Sequence, residues 1–265
     1  VEVVDKAGPV KTRADGRILE VVLDRPKANA IDQSTSQELG RVFANFRDDP
    51  DLRVAILTGG GDRFFCAGWD LNAAADGESA TTDFGVGGFG GLQELSDFNK
   101  PVIAAVNGIA CGGGFELMIC ADIIVASDSA TFALPEINAG TLADAATIKL
   151  PKMIPHHIAM ELLFTGRWID AAEAAQWGLV NEVVKPEQLL PRAREIARLL
   201  AEGPPLVFAA IKEVVRKTQN MDFQGALDLV NSQSLPAVRT LYNSEDMHEG
   251  AKAFSEKRLP AWKGR

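Results

Sequence analysis

The sequence predicts an α/β protein. Short β-branched apolar runs recur between stretches with helical apolar spacing, and glycine, proline or asparagine closes three of the four. Composition agrees: 265 residues, 46% hydrophobic and 24% charged, suffice for one large core or a core with an appendage.

Residues 18–23 form the first clear strand, ended by Pro26. Residues 34–47 read as a helix, since Leu39, Val42, Phe43 and Phe46 share one face. Ser34 and Gln37 have the spacing of a capping box at its start. Residues 54–58 are a buried strand, stopped by Gly59-Gly60-Gly61-Asp62. Residues 102–106 repeat that pattern before the Asn107-Gly108 turn, and 123–126 form a third such strand. A loop or helix start with candidate functional residues follows each of these three, the usual place for ligands in α/β proteins.

Residues 76–91 are glycine-rich and carry Phe84 and Phe89. They suit either a flexible surface loop or a lid that closes over a bound group. Beyond residue 200 the character changes. Pro204-Pro205 breaks the chain, and amphipathic helices are expected around 207–217, 223–235 and 244–257.

With 27 Lys and Arg against 36 Asp and Glu, the net charge of −9 argues against a nucleic-acid partner. Cys66, Cys111 and Cys120 lie in apolar contexts without a paired spacing, as reduced thiols of a cytoplasmic protein would. No apolar run approaches the ~18–20 residues of a membrane span. The opening Val1-Glu2-Val3-Val4-Asp5 lacks the regions of a signal peptide. His156, His157 and His248 have no metal-ligand spacing, so no metal is expected.

Two glutamates concentrate the chemistry. Glu116 follows Gly112-Gly113-Gly114-Phe115, and Glu136 ends Phe132-Ala133-Leu134-Pro135. Either one alone is ordinary as a helix-end charge or a loop residue. Together, in apolar surroundings, they suit acid–base work, because a carboxylate is costly to bury unless it is paired or used. The triple glycine adds backbone N–H groups at a helix start, suited to a developing negative charge.

The chain also resembles the crotonase (enoyl-CoA hydratase/isomerase) superfamily along most of its length. The matching segments are Leu23-Asp24-Arg25-Pro26-Lys27-Ala28-Asn29-Ala30-Ile31, Phe65-Cys66-Ala67-Gly68-Trp69-Asp70-Leu71, Lys100-Pro101-Val102-Ile103-Ala104-Ala105-Val106-Asn107-Gly108 and the two glutamate segments. Later matches include Trp177-Gly178-Leu179-Val180 and Phe254-Ser255-Glu256-Lys257-Arg258. Asn45-Phe46-Arg47-Asp48-Asp49-Pro50, Gly68-Trp69-Asp70-Leu71 and Trp262-Lys263-Gly264-Arg265 are most similar to the carnitinyl-CoA dehydratase subfamily.

That resemblance implies a spiral of ββα units over 1–200 and a helical trimerisation region over 201–265, giving a homotrimer or a pair of trimers. It implies a catalytic pair, Glu116 and Glu136, and an oxyanion hole from the backbone N–H groups of Trp69 and Gly113. It places Arg25, Lys27, Ala28, Ala30, Ala67, Asp70, Leu71, Asn72, Phe254 and Lys257 around the substrate. It calls for no cofactor, coenzyme A being part of the acyl-CoA substrate. The activity implied is hydration or dehydration of a CoA thioester such as crotonobetainyl-CoA or carnitinyl-CoA. Other activities of the family, as isomerase, thioester hydrolase or dehalogenase, and a non-catalytic binding role are the alternatives.

One stretch departs from the family pattern. Where relatives usually read Gly-x-x-Pro-x-x-Gly-Gly, this chain has Gly140-Thr141-Leu142-Ala143-Asp144-Ala145-Ala146-Thr147. Losing the proline and both glycines changes the backbone freedom beside Glu136. Asp144 reads as a pocket or capping residue, with a nucleophile the alternative. Trp69 is either an apolar wall or a cation–π partner for a trimethylammonium group, an attraction of roughly 0.5–2 kcal/mol.

Overall fold

The computed structural model describes residues 8–265, so the opening segment read for a targeting signal lies outside them. In order, β1 (Val10–Asp15), β2 (Ile18–Leu23), α1 (Gln33–Asp48), β3 (Val54–Gly59), β4 (Phe64–Cys66) and α2 (Leu71–Ala75) open the fold. Then come β5 (Val102–Val106), β6 (Ile109–Cys111), α3 (Gly113–Met118), β7 (Ile123–Ser127), β8 (Thr131–Ala133) and α4 (Glu136–Ala139). α5 (Asp144–Met153), α6 (His156–Thr165), β9 (Ile169–Asp170), α7 (Ala171–Gln176), β10 (Glu182–Val184) and α8 (Pro186–Glu202) complete the mixed part. Four helices follow: α9 (Pro205–Thr218), α10 (Phe223–Asn231), α11 (Pro236–Tyr242) and α12 (Asp246–Glu256).

The strands form two sheets, ordered β1-β2-β3-β5-β7-β10 and β4-β6-β8-β9. β3, β5 and β7 enter the larger sheet, and the strand that follows each enters the smaller one. Each repeat therefore adds one strand to both sheets, and α3 and α4 follow the second and third pairs. Except for β1 on β2 and β9 on β8, the pairings are parallel. Every residue of β3 and β5 is buried, which explains their unbroken apolar sequences: parallel strands are covered on both faces.

One cover is α8, whose Leu189, Ala193, Ala197 and Ala201 recur every four residues and pack on Ile56, Ile103 and Val125. The opposite face meets the main core around Phe43, Phe46, Phe65, Phe115 and Phe132. The capping box expected from Ser34 does not form. Asp32 caps α1 instead, accepting from the Thr35 N–H at 2.8 Å, because Ser34 already lies within the first turn.

The glycine-rich stretch wraps closely on α1. Gly91 has φ +77, and a Cβ there would lie 2.4 Å from the Gly40 nitrogen. The glycines thus permit two backbones to touch, and the Gly90 N–H donates to Ser36 Oγ at 2.9 Å. Phe84 and Phe89 meet edge-to-face at 5.3 Å.

The helix expected over 223–235 ends early, at Asn231, and Pro236 opens a further helix at its first position. α9 and α11 pack through Ala210, Leu235 and Val238. The tail folds back: Asp246 accepts from the Lys263 and Gly264 N–H groups, and Arg53 donates to the Trp262 carbonyl at 2.8 Å. No helix among the described residues is long and apolar enough to cross a membrane.

Candidate active site

A cavity of about 410 Å³ opens where α3, α4, the start of α5 and the glycine-rich stretch converge. Glu116 and Glu136 both line it. Each belongs to the first turn of a short helix that follows a strand of the smaller sheet, so parallel strands deliver both carboxyls to one place.

Glu116 is only 7% exposed. Its Oε1 accepts the Ala146 N–H at 2.9 Å, and its Oε2 lies 3.5 Å from Gln93 Nε2, the outer limit of a hydrogen bond. Burial pushes its pKa up to about 7, aided by the negative charges of Glu136 and Asp144 and opposed by the Ala146 bond. Burial also raises the pKa of Glu136, and Asp144 adds to that rise. Glu136 Oε2 is buried without a hydrogen-bond partner among the described residues. A carboxyl oxygen buried without a partner is costly as an anion, which favours the protonated form.

Beside the carboxyls lie two backbone donors. Gly113 is the first residue of α3, so its N–H has no acceptor within the helix. Trp69 stands between Gly68, whose carbonyl accepts from Ile31, and Asp70, whose N–H donates to Ile31. Its own N–H takes no part in that pair. Gly68 brings the two donors together: its φ is +87, and a Cβ there would lie 2.8 Å from the Gly113 nitrogen. Gly114 is equally constrained, since a Cβ there would lie 2.0 Å from the Cys66 carbonyl oxygen.

The other expected residues are dispersed. Ala67 and Leu71 line the cavity with Trp69. Arg25 does not; its guanidinium binds Asp70 at 2.6 Å, Asp32 at 2.8 Å and the Ala30 carbonyl at 3.0 Å. Asp70 also caps α2 through the Asn72 N–H. Arg25, Asp70 and Asp32 therefore brace the two segments that flank Trp69. Lys27 is exposed, Ala28 and Ala30 are half-buried, and Asn72 is exposed on α2. Phe254 is 87% exposed on α12, and Lys257 ends that helix with φ 53. Both lie outside the cavity lining of this chain.

Asp144 opens α5 and lines the cavity near both glutamates. The altered loop forms a wall through Thr141 and Leu142, while the buried Ala146 keeps its N–H on Glu116. Sequence reasoning missed Gln93 and Ala146 as partners of Glu116, because a lone amide and a backbone N–H leave no pattern. It also missed Glu78, whose Oε1 accepts from the Trp69 indole at 2.6 Å. Burial raises Cys66 to about 12 and Cys111 to about 11, as for protonated thiols. No cluster of three potential metal ligands occurs among the described residues.

A family model described as enoyl-CoA hydratase/isomerase matches residues 13–265. The chain belongs to that family. Its fold matches solved relatives: an enoyl-CoA hydratase from Mycobacterium tuberculosis has a TM-score of 0.88 at 36% identity, covering 97% of this chain and 99% of its own. One from Bacillus anthracis has a TM-score of 0.89 at 33% identity, covering 97% and 100%. The two-sheet spiral is the crotonase fold. Among curated relatives, a carnitinyl-CoA dehydratase from Citrobacter koseri is 55% identical over 94% of this chain and 96% of its own. Another from Escherichia coli K12 is 54% identical over 95% and 97%.

Proposed function

We propose that this enzyme catalyses reversible hydration of an α,β-unsaturated CoA thioester, interconverting crotonobetainyl-CoA and carnitinyl-CoA. The observation that carries the reading is that Glu116, Glu136, Trp69 and Gly113 all line one cavity, with Gly113 at the start of a helix. The similarity to relatives named carnitinyl-CoA dehydratase supports the choice of acyl group.

In hydration, an ionised carboxylate of the pair takes a proton from water as the water oxygen bonds to the β-carbon. The C=C π electrons move toward the thioester, and the negative charge gathers on its carbonyl oxygen. The Trp69 and Gly113 N–H groups donate to that oxygen, with the α3 N-terminus adding to the field. The protonated partner then delivers its proton to the α-carbon. The pair begins and ends with one proton, as expected of two close carboxyls in a dry site. Dehydration reverses each step. The chemistry requires no metal or organic cofactor, because the pair moves the protons and the backbone stabilises the enolate.

Lys27, Ala28, Ala30, Ala67, Leu71 and Asn72 border the CoA arm in this reading, and Arg25 and Asp70 hold that border in shape. Phe254 and Lys257 serve a neighbouring subunit, because both are exposed beyond the cavity of their own chain. The assembly is then a trimer or a pair of trimers. An isomerase needs only one carboxylate, so the pair favours the hydratase. Incubation with crotonobetainyl-CoA and crotonyl-CoA tests the reading. Loss of the conjugated thioester absorbance is expected, and its persistence with both would overturn the proposal.

A further inference from the structure

Trp69 is held by a carboxylate. Its Nε1 donates to Glu78 Oε1 at 2.6 Å, while Glu78 Oε2 accepts from the Gln33 N–H, at the first residue of α1, at 3.0 Å. Glu78 is half-buried, and among the described residues no lysine or arginine pairs with it. Arg25, on a neighbouring segment, is already committed to Asp32 and Asp70.

The cavity itself is electrostatically one-sided. Among the described residues, its charged lining is Glu116, Glu136 and Asp144, with no basic side chain. Trp69, Phe84 and Phe89 add aromatic surface to the same lining. Such a pocket disfavours an anionic acyl group and favours a soft, weakly hydrated cation.

We propose that Glu78 is a specificity-determining residue which, acting through Trp69, gives the pocket its preference for an acyl chain ending in a quaternary ammonium. Its role rests on the hydration reading but is not needed by it. A carboxylate on the indole N–H polarises the ring toward its face, where a cation rests. It also fixes the plane of the ring before substrate arrives, so less freedom is lost on binding. Its charge remains close enough to attract the cation through a partly dry medium. Glu78 touches neither the thioester nor the reacting carbons in this account, and it is a positioning residue.

The test compares wild type, Glu78→Gln and Glu78→Asp on crotonobetainyl-CoA and on its neutral isostere, with tert-butyl in place of trimethylammonium. Glutamine keeps the volume and an acceptor for the indole but loses the charge. The ratio of kcat/KM, charged over neutral substrate, is expected to fall about 3- to 30-fold in Glu78→Gln, mainly through KM. It should recover in part in Glu78→Asp. Equal losses on both substrates would mean that Glu78 only holds its loop on α1, overturning the proposal. An unchanged ratio would overturn it as well, and so would a wild type without preference for the charged substrate, with hydration of the isostere intact. Failure of wild type to hydrate either substrate would instead overturn the hydration reading, and this proposal with it.

Discussion

The Ala146 N–H donates to Glu116 Oε1 at 2.9 Å, tying the start of α5 to the first turn of α3. The altered loop therefore still supplies a backbone donor to the buried carboxyl. That one bond does not offset burial, and the pKa of Glu116 stays near 7.

The folded carboxyl titrates at about 7 and the unfolded one at about 4.5, so the folded state binds more protons between them. Its stabilising contribution is complete below the lower value and is lost as pH rises through the upper one. The loss is about 3 kcal/mol per subunit. Denaturation at fixed protein concentration should show Glu116→Gln gaining on wild type by that order between about pH 4.5 and about pH 8. A constant difference would mean that Glu116 titrates normally.

Gly113 and Gly114 should respond differently to alanine. A Cβ at Gly113 would lie 2.3 Å from Phe89 Cε1, a side-chain atom rather than backbone. Gly113→Ala should keep its fold but lose on the order of tenfold or more in kcat/KM as Phe89 shifts in the cavity. Gly114→Ala sets its Cβ against the Cys66 backbone and should lose about 2 kcal/mol or more. Thermal melting with steady-state kinetics separates the two.

Trp69→Leu keeps the backbone donor while removing the aromatic face. Its kcat/KM for crotonobetainyl-CoA should fall about 2- to 30-fold more than for crotonyl-CoA. Equal losses would reduce Trp69 to an apolar wall.

Assembly is testable through the exposed apolar surface of the C-terminal helices. Phe223 and Phe254 are 81% and 87% exposed on the single chain, surface that subunit contacts should cover. Light scattering at micromolar concentration should give a trimeric or hexameric mass. A monomeric mass would contradict the subunit-sharing role of Phe254 and Lys257.

The α/β class and the family were legible because parallel strands buried on both faces write unbroken apolar runs, and because the glutamate and glycine motifs are local. The two glutamates were legible as carboxylates in apolar sequence. What was hidden depended on tertiary contact. Asp32 displaced Ser34 as the α1 cap, a two-residue difference that spacing does not resolve. The glycines of the 76–91 stretch suggested mobility, yet Gly91 serves a close approach to Gly40 across the fold. Arg25 looked like a substrate contact, and only the structure reveals its ties to Asp32 and Asp70. Glu78 had no periodic signal, since its partner Trp69 is met through loop geometry.

The central claim is that both carboxyls move protons, and Glu136→Gln tests it most directly. Turnover of crotonobetainyl-CoA should fall by ~10²–10⁴ while CoA-thioester affinity stays near that of wild type. Glu116→Gln should behave alike. Undiminished hydration by Glu136→Gln would contradict the account, removing Glu136 from the chemistry and leaving a one-carboxylate enzyme of the isomerase kind.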